Sequence, residues 1–260
     1  MNHFSLSIEE LIYCFYSEGF FEQGNALKQV YFGDLDDEKM DLVLQVSTRS
    51  LLAKNLLHYK KHKFALVNEL ADVISALNHS DQSIKLSRHG EDGSEETVSY
   101  HVSEGQLFEH SLKFDEQVHV FKMVTLEHVV SSISEFYQVG EKTAAEETGF
   151  SISQEEFEIM LDSLTDNQKL FELPKLEGVK QRFYQTLKKT SGRLNTMLFL
   201  EYGRNNEPEA KNMILFTNAP QENWVIEKVD EAFTVICGCQ ELIKKLVQEN
   251  LQEKETMNNG

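Results

Sequence analysis

His58 and His62 stand one helical turn apart in His58-Tyr59-Lys60-Lys61-His62, the spacing with which a helix brings two imidazoles onto one zinc ion. Tyr59 occupies the place of a general-base glutamate, and Lys60 and Lys61 repel a cation, so a solvated basic face is expected and no metal. His101, His110, His119 and His128 recur evenly, but on different expected elements. No Ser or Cys beside them sits in a Gly-x-Ser-x-Gly turn, which points to partly buried imidazole rather than a nucleophile's base. Cys237-Gly238-Cys239 could offer two thiolates, yet no second Cys/His pair stands at a matching distance. The acidic pairs Asp36-Asp37-Glu38, Glu95-Glu96, Glu146-Glu147 and Glu155-Glu156 suit helix starts and solvated loops. Gly90-x-x-Gly93 is flanked by acids that would repel a phosphate. With no catalytic constellation, cofactor site or metal site legible, a non-enzymatic binding protein is expected, its affinity resting on an apolar or shape-complementary patch.

The chain has 260 residues, is 40% hydrophobic and carries a net charge of -18, with 43 acidic against 25 basic residues. That charge disfavours nucleic acid and anionic membrane surfaces and favours a protein partner. The start, Met1-Asn2-His3-Phe4, has no basic stretch followed by an apolar one, and nothing reaches the apolar length of a membrane span. Three cysteines, Cys14, Cys237 and Cys239, do not make a disulfide framework. A cytosolic protein, monomeric or weakly homodimeric, is the expectation.

The elements that must position these residues begin with a repeated signal. Phe4-Ser5-Leu6-Ser7-Ile8-Glu9-Glu10-Leu11 returns as Phe150-Ser151-Ile152-Ser153-Gln154-Glu155-Glu156-Phe157. In each copy a serine caps a helix, a glutamate three residues on closes a capping box, and apolar residues staple the turn. After the first helix, glycines Gly19 and Gly24 predict a connection; a long amphipathic helix follows from Asp36 through Leu57. Alternation then predicts hairpins around an acidic tip, 90–96, further strands over 106–112 and 117–124, and a helix from Thr125 to Gly140. Residues 141–148 are small and polar and serve as the expected linker between halves 1–140 and 149–260. The second half repeats the order: a helix from Gln154, a connection through Pro174, a helix from Glu177 to Lys189, and strands at Leu194–Tyr202, Met213–Thr217, Trp224–Val229 and Ala232–Ile236. A final helix runs from Gln240. The expected fold is α+β, a quasi-twofold repeat of helix-helix-antiparallel strands-helix whose two halves form one pseudo-symmetric domain. The second half is the shorter, by about thirty residues of loop or helix.

This order, with Phe4-Ser-Leu-Ser-Ile-Glu-Glu-Leu-Ile at the N-terminus and Phe121-Lys-Met-Val-Thr-Leu-Glu-His-Val-Val closing the first half, resembles the EspG family of type VII (ESX) secretion chaperones. Few Ala and Pro among Lys- and Asn-bearing segments suggest a Gram-positive relative. The resemblance implies a cytosolic non-enzyme that binds a helical-hairpin substrate of the WXG or LXG type and keeps it soluble and competent for export. In Leu194–Tyr202 both alternating sets of side chains are apolar, so both strand faces must be covered, by the protein itself or by a partner. Met197, Phe199, Met213 and Leu215 are accordingly the expected partner-binding residues, together with the two polar hairpin tips. The alternative is an immunity protein whose acidic surface neutralises a basic toxin.

Overall fold

The computed structural model describes residues 3–90, 93–140, 149–165, 176–203, 207–217, 219 and 222–251; the expected linker, the Pro174 connection and part of the second tip lie outside them. Along the chain the elements are β1 (His3–Ser7), α1 (Ile8–Ser17), α2 (Phe21–Phe32), α3 (Asp37–Ala53), β2 (Leu57–Lys60), β3 (Lys63–Leu66), α4 (Asn68–Asn78), β4 (Gln82–His89), β5 (Glu95–Ser103), β6 (Gln106–Lys113), β7 (Val118–Val124) and α5 (Leu126–Phe136). There follow β8 (Gly149–Ser153), α6 (Gln154–Thr165), α7 (Gly178–Lys189), β9 (Leu194–Tyr202), β10 (Pro208–Thr217), β11 (Trp224–Val229), β12 (Ala232–Cys237) and α8 (Gln240–Leu251). Helices and antiparallel strands together make the fold α+β.

Two compact units form, each drawn from separate stretches of chain. One comprises Met1–Ser83, Val98–Val124 and Glu201–Glu209; the other comprises Ile84–Thr97, Thr125–Leu200 and Ala210–Gly260.

In the first unit the strand order is β1-β7-β6-β5, with β1 antiparallel to β7 from His3 opposite Lys122 to Ser7 opposite Val118. Ser7 closes β1 and caps α1 at once. Its hydroxyl accepts the Glu10 N–H at 3.3 Å while Glu10 Oε2 accepts the Ser7 N–H at 2.8 Å, the expected capping box. Leu6, Leu11, Phe15, Leu51, Leu70, Ile74, Phe108 and Phe121 build its core, and Ile8, Ile12 and Met40 a second cluster. The connection expected after α1 is instead the helix α2, with Gly24 inside it. Gly24 is buried against Tyr16, whose hydroxyl donates to Asn25 Oδ1 at 2.7 Å; a Cβ at this position would overlap the Tyr16 ring. Glycine here answers a close helix approach rather than a break. The helix starting at Asp36 stops at Ala53, short of the expected Leu57, and β2 and β3 make a separate two-stranded hairpin through the left-handed residues Lys61 and His62.

In the second unit the order is β4-β9-β10-β11-β12-β8. β8 precedes α6 as β1 precedes α1, and pairs with β12 from Gly149 opposite Ile236 to Ser153 opposite Ala232. Ser153 Oγ accepts the Glu156 N–H at 3.1 Å and Glu156 Oε2 accepts the Ser153 N–H at 3.4 Å, so the second capping box forms too. α6 and α7 set Phe157, Met160, Phe183, Tyr184 and Leu187 against Ile152, Trp224, Ile226 and Val235 of the strands. The Trp224 indole N–H donates to Thr186 Oγ1 at 3.3 Å, which satisfies the one polar atom of that buried ring. α5 and α8 pack against each other, and Tyr137, just past α5, stacks on Phe216 with ring centroids 4.0 Å apart.

Candidate functional site

His58 and His62 do not share a helix face. His58 lies on β2 and His62 in the turn, where it contacts the exposed Tyr59. Alternation along a strand and a reversal at the turn replace the one-turn geometry that two zinc-binding imidazoles need. Cys237 and Cys239 are buried with Cys14, and burial, reinforced by the carboxylates of Glu10 and Glu18, pushes the Cys14 thiol far up, away from the reactive thiolate. Among the described residues no three His, Cys, Asp or Glu side chains gather as a metal site would require.

The evenly spaced histidines do come together in part, because three of them face the same way on adjacent strands. His101 of β5, His110 of β6 and His119 of β7 form a row: His110 Nε2 is 3.0 Å from His119 Nδ1, and the ring of His110 stacks on that of Phe121 at 4.6 Å. Ser83 Oγ and Ser80 Oγ lie 2.9 and 3.2 Å from His101 Nδ1. Burial holds His101 down to about 4, His119 to about 4, and His110, further disfavoured by its two neighbours, to about 3. Only His110 and His119 are hydrogen-bonded to each other, and among the described residues His101 Nε2 and His119 Nε2 are buried without a partner; the neutral rings pack side by side. His128 sits apart, in the first turn of α5.

The expected partner-binding residues divide by strand. Met197 and Phe199 on β9 are 0% and 2% exposed and belong to the core of their own unit, so the side chains that looked available for a partner are taken up by the fold itself. Met213 on β10 is 49% exposed, and Leu215 is half-buried against the α6/α7 core. Other large apolar side chains stand in solvent on the first unit: Val30 of α2, Leu42 and Val46 one turn apart on α3, and the pair Tyr59 and Phe64 on the β2–β3 hairpin, whose rings are 4.8 Å apart. Leu42 and Val46 belong to the run of apolar residues that predicts α3, and sequence periodicity does not distinguish those two from the buried Met40 and Leu51. No helix of the described residues is long and apolar enough to cross a membrane.

A family model described as "Uncharacterised protein YfjC" matches residues 3–247. The "Uncharacterized protein YfjC" of Bacillus subtilis (strain 168) is 34% identical over 253 residues, an alignment covering 95% of this chain and 99% of that protein. Among solved structures, the type VII secretion system chaperone EspG5 of Mycobacterium tuberculosis, determined in complex with a PE25-PPE41 dimer, superposes with a TM-score of 0.63 over 96% of each chain at 10% identity. At that identity the likeness is one of fold. The sequence matches run nearly end to end through the strands and helices described above, and the chain belongs to the YfjC family.

Proposed function

We propose that this protein is a cytoplasmic, non-enzymatic chaperone that binds a helical-hairpin protein of the WXG or LXG type and keeps it soluble and competent for type VII export. The observation that carries the proposal is the agreement of fold along 96% of the chain with a chaperone of that system. One further feature supports it: apolar side chains such as Met213 stand in solvent, as a surface that accepts an amphipathic helix requires. In this proposal Met213 and Leu215 touch the partner, while Met197 and Phe199 hold β9 and β10 in place behind them. The two strand-then-capped-helix arrangements, β1-α1 paired to β7 and β8-α6 paired to β12, are proposed to be the two copies of a quasi-twofold repeat, and the protein to act as a monomer or weak homodimer.

Co-expression with the small helical proteins encoded beside it tests the proposal. Retention of one of them on the tagged chaperone, with a gain in its soluble yield, is the expected result. Retention of a basic toxin instead, with loss of that toxin's activity, would replace it with the immunity function.

A further inference from the structure

Within the second unit a cleft of about 460 Å³ opens between the end of β4, the start of β9 and the C-terminal ends of α5 and α7. Arg88, Glu96, Lys189, Thr190, Arg193 and Asn195 are among the residues that line it. In a chain of net charge -18, the described residues that line it include three cations and one carboxylate. Arg88 is committed: it pairs with Glu96, donates to the Phe136 carbonyl at 2.7 Å and lies over the Phe136 ring. Among the described residues, Lys189 and Arg193 make no ion pair or side-chain hydrogen bond.

Capping does not account for those two. At the end of α7 the chain turns through left-handed Ser191 and Gly192, and its own N–H groups take up the free carbonyls: Ser191 donates to Lys188 at 3.2 Å, Gly192 to Leu187 at 2.8 Å and Arg193 to Thr190 at 3.1 Å. The helix end is satisfied without the cationic side chains.

Asn195 supplies an independent observation. It is 2% exposed, its Oδ1 accepts the His89 N–H at 3.0 Å, and that bond fixes which side of the amide is the donor. Its Nδ2 has no hydrogen-bond partner among the described residues. A buried donor without an acceptor is unfavourable, and an acceptor entering the cleft relieves it. One water would serve Asn195 alone; the two unpaired cations beside it favour an acceptor that bears negative charge.

We propose that this cleft binds a small ligand through a phosphate or carboxylate oxyanion, with Arg193 and Lys189 supplying charge and Asn195 Nδ2 a directed hydrogen bond. Its volume lies in the range of about 300–1,000 Å³ usual for small-molecule sites. The site is independent of the chaperone proposal, since no residue of the proposed partner surface lines it.

The test uses the full chain and three probes at equal ionic strength: sodium phosphate, citrate and sodium chloride. Phosphate or citrate should raise the melting temperature over chloride by about 3 °C near tenfold saturation and should shift the Asn195 side-chain amide signal in ¹⁵N NMR. A K189Q/R193Q variant, altered only at exposed positions, should melt like the parent in chloride and lose both responses. A response to phosphate alone assigns a phosphoryl ligand, and one to citrate alone a carboxylate ligand. If neither anion acts beyond chloride, or if the double variant responds as the parent does, the proposal is overturned.

Discussion

Glu10 and Glu156 close the same capping box, but the side chain of Glu10 is 4% exposed and that of Glu156 35%. Around Glu10 the fold adds Lys54 Nζ at 2.6 Å and Ser50 Oγ at 2.6 Å, both from the end of α3 and its cap, so a local signal becomes a tie between two helices. Among the described residues, Glu156 has only Lys180 Nζ at 3.6 Å beyond its box. Removing Glu10 takes the acceptor from the Ser50 hydroxyl and the charge partner from Lys54, whose ammonium keeps the Ser5 carbonyl at 3.0 Å, and E10A should lower stability by about 2–4 kcal/mol. E156A should lower it by about 0.5 kcal/mol, as for an exposed pair. Urea denaturation of the two variants measures the contrast, and equal losses would contradict the assignment of burial. Both boxes were legible in Ser-x-x-Glu, because a cap is made by residues three apart; their different worth was not, because Ser50 and Lys54 lie 40 and 44 positions away in the chain.

The elements that carry the imidazole row give the protein a pH response. Each of His101, His110 and His119 titrates in the fold well below its ordinary value near 6.5, so the unfolded chain takes up protons first as pH falls. Their contribution to stability is therefore complete above about pH 6.5 and declines from there toward pH 4, by roughly 1.4 kcal/mol per pH unit for each histidine. H110F, which keeps a ring against Phe121 and removes the neighbour shared by His101 and His119, should flatten the loss between pH 6.5 and 4.5 when unfolding free energies are compared. An unchanged slope would show that other groups set it. The even spacing of these histidines was visible along the chain, but their meeting depends on the register of three strands, in which His110 stands opposite Phe121 and His101 opposite Phe108. Register likewise separated His58 from His62, where helical spacing alone suggested a shared face.

For the molecule as a whole, the proposed chaperone function concentrates on exposed apolar residues that the fold does not use. M213D changes a residue that is 49% exposed, so the fold and melting temperature should be nearly unaltered while retention of a co-expressed helical partner falls at least tenfold. Parallel losses of folding and binding would remove Met213 from the surface, and unaltered retention would place the partner elsewhere. The sequence by itself determined the α+β class, both capped helix starts, most hairpins and the acidic, cysteine-poor character, since each depends on neighbours within a turn or two. Tertiary structure alone decided that Gly24 lies inside a helix against Tyr16 and that β1 and β8 are strands flush with their helices. It also decided that Met197 and Phe199 are core, and that Arg88 meets Lys189, Arg193 and Asn195 around one cleft. In each of these cases what settles the role of a side chain is which distant surface covers it, and pattern along the chain carries no information about that cover.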